Sequence, residues 1–126
     1  MSESSSKAML WAGRVLSAVP SLGLTMSAAM KLSQSEEFMA QWAHFGYPAA
    51  AARPVGAAEL LGVVLYLFPK TSVLGLVWLT GYLGGAIATH VHAGEGFAAP
   101  AIVALMLWGG LYLREPRLRA LLPLRW

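Results

Sequence analysis

The sequence predicts an all-α integral membrane protein, a four-helix bundle with an amphipathic interfacial helix between the first and second membrane spans. Two features of the composition indicate this class: 57% of the 126 residues are hydrophobic, and only 12% are charged. Soluble domains are about 45–50% apolar and about 25% charged, so this short chain has too little polar surface to cover a water-soluble fold. The third feature is the arrangement of the apolar residues in four segments near bilayer length.

The four apolar segments are the predicted membrane spans, because a hydrocarbon core about 30 Å thick takes roughly 20 apolar residues per helix. They cover residues 8–30, 49–68, 71–91 and 97–113. The second span reaches its full length only if the Arg53 guanidinium extends to the interface. The spans form a predicted transmembrane domain, residues 8–113, after a polar, disordered leader over residues 1–7. A secretory signal peptide is the competing interpretation of the first segment, but its length and the closing Lys31 favour a membrane helix.

The connection between the first and second spans has the pattern of an amphipathic helix. Ser33 and Glu36 have the spacing of a capping box, and aromatic residues recur at helical spacing at Phe38, Trp42 and Phe45. The polar residues of this segment fall toward the opposite face. We therefore expect a helix that lies in the outer interface and turns its aromatic side chains toward lipid or the bundle.

The placement of the basic residues predicts the orientation of the chain. When the loops are assigned alternately to the two sides of the membrane, six basic residues fall on one side and only Lys31 and Arg53 on the other. The positive-inside rule then places both termini in the cytoplasm. The basic amphipathic tail, residues 114–126, is expected to contact anionic lipid headgroups and not nucleic acid.

Ionisable residues at membrane depth are the strongest functional signal, because each is unfavourable in lipid unless it is paired or hydrated. The Glu59 carboxylate is either half of a structural ion pair with Arg53 or Lys31, or a functional group that faces a cavity. With the predicted topology, Lys31, Glu59 and His90 come from three different helices and converge near the outer leaflet. His92 falls on a different face of its helix from His90 and is expected at the surface.

These residues define the predicted site. Glu59 and His90 are the candidate catalytic residues, because a desolvated carboxyl group and a histidine are suited to general acid–base chemistry. Lys31, Tyr82 and Trp42 are the candidate ligand-binding residues. No metal site is predicted, because the chain has no histidine pair at helical spacing, and Glu59 with one inward histidine makes a poor ligand set.

Small residues in the third span predict close helix packing. Gly81 with Gly85 and Gly84 with Ala88 are small-xxx-small pairs, which let helix backbones approach each other in lipid. We expect these pairs to pack within one bundle, with a homodimer face as the alternative. In the first span, Arg14 is expected to reach the cytoplasmic surface, with a polar seam through the bundle interior as the alternative.

Several motifs resemble those of the DoxX-like family over about residues 8–122. The matching residues are Lys31, Gly-Ala-Ala-Glu-Leu-Leu-Gly at 56–62, Leu-Tyr-Leu-Phe-Pro-Lys-Thr at 65–71, Leu-Thr-Gly-Tyr-Leu-Gly-Gly-Ala at 79–86, Thr89-His90, Trp108 and Leu113-Arg114. The resemblance implies a four-helix protein of the bacterial cytoplasmic membrane with Lys31, Glu59 and His90 at the family's polar positions. The family name comes from a subunit associated with thiosulfate:quinone oxidoreduction, and some relatives are described as membrane partners of redox enzymes. The chain has no cysteine for sulfur chemistry, which argues against thiosulfate oxidation.

Three functions remain open on the sequence. The first is a redox-associated membrane subunit that binds a quinone or another lipophilic molecule near Glu59, His90 and Tyr82. The second is a small membrane enzyme without a cofactor, of isomerase or epoxide-opening type, that uses Glu59 and His90. The third is a non-catalytic scaffold or accessory protein that holds a membrane-protein partner through its glycine faces and basic tail. The lipid bilayer is a partner in all three, and a quinone is the cofactor that the first would bind.

Overall fold

The computed structural model describes residues 6–123 and contains helices but no strands within that range. The helices are α1 Lys7–Ser33, α2 Glu36–His44, α3 Ala52–Leu67, α4 Ser72–His92, α5 Ala98–Arg114 and α6 Pro116–Leu121. Short 3-10 turns, Ala49–Ala51 and Pro69–Thr71, lead into α3 and α4. The prediction of an all-α protein is confirmed. The predicted disordered leader lies mostly outside the described residues, and its last residue, Lys7, already belongs to α1.

The four long helices pack in a closed ring, which we call the helix ring. Helix α1 packs against α3 and α5, and α4 packs against the same two helices, so that α1 and α4 stand opposite each other. Leucine side chains from α1, α4, α5 and α6 form most of the core, together with Val63 and Tyr66 of α3. The completely buried Tyr66 donates a hydrogen bond from its hydroxyl to the Leu107 carbonyl oxygen at 2.6 Å, which ties α3 to α5.

The outward surface of the helix ring is also apolar. Large apolar side chains form an exposed stripe along α1, made of Trp11, Val15, Val19, Leu22 and Met26. On α5, Leu105 exposes 72% of its surface. Water-soluble proteins do not expose contiguous apolar faces of this size, whereas helices in lipid do.

Three helical stretches are long and apolar enough to cross a membrane. They are Lys7–Ser33, Ala49–Leu67 and Pro69–His92. The second and the third include the 3-10 turn that precedes the α-helix. Helix α5, Ala98–Arg114, is equally apolar but has 17 residues. That length lies at the lower limit of about 17–25 residues for a membrane span.

The start of α2 differs from the prediction. The residue that caps α2 is Ser35, whose hydroxyl accepts a hydrogen bond from the Phe38 backbone N–H at 3.4 Å. The predicted capping box of Ser33 and Glu36 is wrong, because α1 continues through Ser33 and ends only at Gln34, which has a left-handed φ of 53°. The first helix is therefore longer at its end than the predicted span.

Two glycine positions produce the closest helix crossings. A Cβ atom on Gly13 of α1 would lie 2.8 Å from the carbonyl oxygen of Gly110 in α5. A Cβ atom on Gly75 of α4 would overlap the backbone of Tyr66 in α3. Since real Cβ atoms do not approach other atoms so closely, these helices can pack at the observed separation only with glycine at these positions.

The glycines that the sequence analysis selected do not pack within the chain. A Cβ atom on Gly81, Gly84 or Gly85 would meet no heavy atom within 4 Å among the described residues. All three positions are exposed. The expectation that they pack within the bundle is wrong, because α4 packs against α3 and α5 with its other faces.

A polar network crosses the helix ring at the end that is remote from α2. Arg114 at the end of α5 donates from Nε to the Ser17 hydroxyl at 3.0 Å, and its guanidinium lies 5.4 Å from the Tyr66 ring centroid. Arg14, in contrast, is exposed. The interior polar contact on α1 is therefore made by an arginine of α5 and not by Arg14, which agrees with the expectation that Arg14 extends to the surface.

Candidate functional site

Lys31, near the end of α1, and Glu59, in the middle of α3, form a buried ion pair. The Lys31 Nζ lies 2.9 Å from the Glu59 Oε1, and the two side chains are 7% and 1% exposed. Ser27, one turn earlier on α1, accepts a hydrogen bond from Nζ at 2.6 Å and donates one to the same carboxylate oxygen at 3.3 Å. The pair is thus held by a third group, as a buried charge pair requires if it is to offset its desolvation.

The local sequence explains why Lys31 is the partner of Glu59. Gly56 lies one turn before Glu59 on α3, and a Cβ atom there would come within 2.8 Å of the Lys31 Cβ. The absence of a side chain at position 56 leaves room for the lysine. The alternative partner Arg53 is exposed and donates from Nε to the Leu32 carbonyl oxygen at 3.1 Å. The interpretation of Arg53 as the partner is therefore wrong.

The second carboxylate oxygen of Glu59 is unusual. Oε2 is buried and has no hydrogen-bond partner among the described residues. Buried polar atoms without a partner are rare in folded proteins, and each one points to a water molecule, a ligand or a chemical role. Glu59 therefore combines a structural contact on one oxygen with an unused acceptor on the other.

A cavity of about 640 Å³ lies next to this ion pair, between α1 and α4 and beneath α2. Its wall includes Lys31 from α1, Trp42 from α2, and Tyr82 and His90 from α4. Sites for small molecules have volumes of about 300–1,000 Å³, an apolar lining and a few polar groups. This cavity has all three properties.

Helix α2 covers the cavity with its aromatic side chains. Phe38, Trp42 and Phe45 all line the wall, as their helical spacing indicates. Trp42 is 6% exposed and is fixed by a hydrogen bond from its Nε1 to the Pro48 carbonyl oxygen at 2.9 Å. The Phe38 ring centroid lies 5.2 Å from the Lys31 Nζ, which is a cation–π distance.

Helix α4 supplies the opposite wall. The Tyr82 ring centroid lies 5.8 Å from the Lys31 Nζ. His90 lies two turns further along α4, about 12 Å at 1.5 Å per residue. Its Nδ1 bonds to the Ala86 carbonyl oxygen at 2.7 Å, and since a carbonyl only accepts, Nδ1 carries the proton. When the imidazole is uncharged, its Nε2 is an acceptor. The His90 ring centroid lies 4.9 Å from the Phe45 ring centroid.

The structure brings four of the five predicted site residues to one cavity wall: Lys31, Trp42, Tyr82 and His90. Glu59 is not part of the wall, but it contacts Lys31, Ser27 and Tyr82, which are. No hydrogen bond or ion pair joins Glu59 to His90 within residues 6–123. In the same range, no three histidine, aspartate or glutamate side chains are grouped so that they could hold a metal ion.

The sequence analysis missed the contacts that attach the α2 segment to the end of α4. The Tyr47 and Thr89 hydroxyls form a hydrogen bond, and the His44 Nε2 lies 3.2 Å from the Glu95 Oε2. Thr89 precedes His90 in the motif that resembles the DoxX-like family, but its position in the sequence does not indicate that Tyr47 is its hydrogen-bond partner. Tyr47 follows Gly46, whose φ of 89° allows the chain to turn toward α4.

An all-helical chain with an apolar exterior, and with three helices able to cross a bilayer, is a membrane protein. The profile of the DoxX-like family matches residues 15–110, and the chain belongs to this family. The match includes the ion pair and all the α4 residues of the cavity wall. No curated protein and no solved structure is significantly similar to the chain.

Proposed function

We propose that the protein is a redox-associated subunit of the cytoplasmic membrane that binds a lipophilic molecule with a quinone-like head group beneath α2. The observation that carries this proposal is the cavity of about 640 Å³ with its aromatic cover and its polar groups from α1 and α4. A quinone requires an apolar slot for its ring and tail and hydrogen-bond donors for its carbonyl oxygens. The family name, which comes from thiosulfate:quinone oxidoreduction, supports the choice of head group.

The ion pair determines which head group the cavity favours. An ammonium group has three N–H donors, and Lys31 uses two of them on Ser27 and Glu59. The third is available to a ligand. The Tyr82 hydroxyl on the cavity wall interacts with Glu59 and Ser27, and it becomes a second donor when a ligand carbonyl replaces Glu59 as its acceptor. Because Glu59 neutralises the lysine charge, the site favours a neutral acceptor such as a quinone carbonyl over a carboxylate or a phosphate.

We further infer that α1, α3, α4 and α5 all span the membrane as a four-helix bundle, with α2 in the outer interface. The closed packing of the four helices supports this arrangement, since α5 contacts both α1 and α4 along the ring. The distribution of basic residues supports cytoplasmic termini. In this arrangement the cavity lies at the outer end of the bundle, beneath α2.

Ligand binding to the protein in lipid nanodiscs tests the proposal. Isothermal titration with a decyl-substituted benzoquinone should show saturable binding, and Tyr82→Phe should weaken it roughly 3–10-fold, the effect of one lost hydrogen bond. Tyr112→Phe is the matched control, because the Tyr112 hydroxyl bonds to the Leu122 carbonyl oxygen outside the cavity. An absence of saturable binding by the unmodified protein contradicts the proposal.

A second candidate function is a membrane enzyme without a cofactor, and the unpartnered Oε2 of Glu59 favours it. Glu59 does not line the cavity, but it interacts with the hydroxyl of Tyr82, which does, so this hydroxyl is able to pass a substrate proton to the carboxylate. Glu59→Gln should then abolish the isomerisation or opening of a lipophilic epoxide while the protein remains folded in size-exclusion chromatography. Undiminished turnover by this variant contradicts the enzymatic role of Glu59.

A further inference from the structure

We propose that the cavity opens sideways into the bilayer between α1 and α4, through a portal whose width depends on Gly81 and Gly85. This inference rests on the proposed function, because it concerns how the same cavity admits its ligand. It also defines the ligand class: a neutral head group on a flexible apolar tail, with the tail remaining in the portal and in lipid. A compact ligand without a tail would gain nothing from such an opening.

On the side between α1 and α4, helix α5 does not cover the cavity. Helices α1 and α4 stand opposite each other in the helix ring, and no residue of α5 lines the cavity. On the part of the cavity wall formed by α1 and α4, three residues are at the same time exposed on the outside of the protein: Met30 of α1, which is 44% exposed, and Gly81 and Gly85 of α4. A residue that belongs to both the cavity wall and the outer surface marks a place where the cavity reaches the outside.

The depth of these residues places the portal in lipid. Gly81 and Gly85 lie eleven and seven residues before the end of α4 at His92. At 1.5 Å per residue, they are about 16 Å and about 10 Å along the helix from that end. The remaining exposed wall residues are Glu37 and Gln41 of α2 and Tyr47, which follows α2. They mark a second opening on the aqueous side. The cavity therefore has one polar and one apolar mouth.

The two glycines have no packing role that would explain them. A Cβ atom at either position would meet no heavy atom within 4 Å among the described residues. Glycine inside a helix is about 1 kcal/mol less favourable than alanine, so an unpacked glycine is unfavourable for the helix. What Gly81 and Gly85 provide is open space at the edge of the cavity. Gly84 is equally unpacked and exposed but does not line the cavity, so it is the matched control.

The test compares two quinones that share a ring and differ in the tail, one with a decyl chain and one with a methyl group. In nanodiscs, Gly85→Leu should lower the affinity for the decyl compound at least tenfold and that for the methyl compound by less than threefold. Gly84→Leu should change neither affinity. Equal losses for both compounds in Gly85→Leu, or an unchanged affinity for the decyl compound, overturn the portal.

A measurement without a quinone separates failure of the portal from failure of the proposed function. The chain has no cysteine, so Ala86→Cys places a single nitroxide label on the cavity wall. Molecular oxygen, which concentrates in the bilayer, should relax this label strongly, and Gly85→Leu but not Gly84→Leu should reduce the effect. If oxygen access is the same in both leucine variants, the portal is rejected, whether or not the protein binds quinones.

Discussion

Glu59 and Lys31 show how a single pair of residues determines the local structure of the site. Neither charge is tolerable alone at this depth, and together they connect α1 to α3 with a Nζ–Oε1 distance of 2.9 Å. Ser27 fixes the pair on one side, while Oε2 of Glu59 remains unpartnered among the described residues. The pair therefore both stabilises the helix contact and leaves hydrogen-bonding capacity on each member.

Removing one member of the pair should be more harmful than removing both. We expect Glu59→Leu or Lys31→Met alone to lower the free energy of unfolding by about 3–5 kcal/mol, because each leaves an uncompensated buried charge. The double variant should recover most of this loss, since two apolar side chains of similar size replace the pair. Equilibrium unfolding in detergent micelles measures all four proteins. A double variant as unstable as the sum of the single variants would contradict the ion pair.

The sequence is enough to predict that a site with charged residues exists, but not which basic residue pairs with Glu59. The rarity of ionisable residues in apolar segments is enough to identify Lys31, Glu59 and His90 as candidates. Arg53 and Glu59 both lie on α3, six residues apart and therefore about 240° apart around the helix axis, so they do not face each other. The approach of Lys31 from α1 depends on its contact with Gly56, which the local sequence pattern does not indicate.

At the scale of helices, glycines act in two different ways that the sequence does not distinguish. Gly75 lies where α4 touches the backbone of α3, whereas Gly84 faces outward with no atom within 4 Å of its Cβ position. The spacing of small residues along α4 pointed to Gly81, Gly84 and Gly85, which face outward. A pattern on one helix does not show which of its faces a neighbouring helix covers. Only the packing order of the helices decides it.

Alanine substitution should reveal the difference between these two glycines. Gly75→Ala should destabilise the protein by about 1–3 kcal/mol, because its methyl group overlaps the Tyr66 backbone and must push α3 and α4 apart. Gly84→Ala should be neutral or stabilise it by up to about 1 kcal/mol through helix propensity. Unfolding free energies in the same detergent provide the comparison. Equal effects at the two positions would contradict the observed packing.

Helix α6 should respond to pH through its first residues. The Glu115 Oε2 accepts hydrogen bonds from the Arg117 Nε at 3.1 Å and from the Arg117 backbone N–H at 3.2 Å. The hydrogen bond from the Arg117 side chain lowers the pKa of Glu115 below its usual value of 4.5. A lowered folded-state pKa means that the stabilisation is fully present above the usual pKa and is lost as the pH falls through the lowered value.

We therefore expect the start of α6 to be ordered at neutral pH and to loosen only in acid, at a pH below the usual pKa of 4.5. The Arg117 amide resonance, followed by NMR in micelles, should shift with the titration of a single carboxyl group. Glu115→Gln should remove this pH dependence, while the same substitution at the exposed Glu37 of α2 should leave it unchanged. A midpoint at or above 4.5 would contradict the contact with Arg117.

For the whole molecule, the composition was sufficient to predict the class, because an apolar chain with few charges has no other stable environment than lipid. All-α structure followed from the same constraint, since every backbone polar group of a span must be satisfied within its own helix. The sequence did not indicate the order in which α1, α3, α4 and α5 pack around the helix ring, or the cavity that they leave under α2. These depend on contacts between residues far apart in sequence, such as Tyr66 with Leu107.

The number of spans and their direction lead to a labelling prediction for the whole chain. Because the chain has no cysteine, Ser35→Cys, Lys70→Cys, Glu95→Cys and Arg117→Cys each introduce a single thiol beside one end of the long helices. On intact cells, a membrane-impermeant maleimide should label positions 35 and 95, and it should label positions 70 and 117 only after permeabilisation. This pattern requires α5, with 17 residues, to cross the membrane. Labelling of positions 95 and 117 from the same side would mean that α5 does not span, and the fully reversed pattern would mean that the charge distribution assigns the wrong orientation.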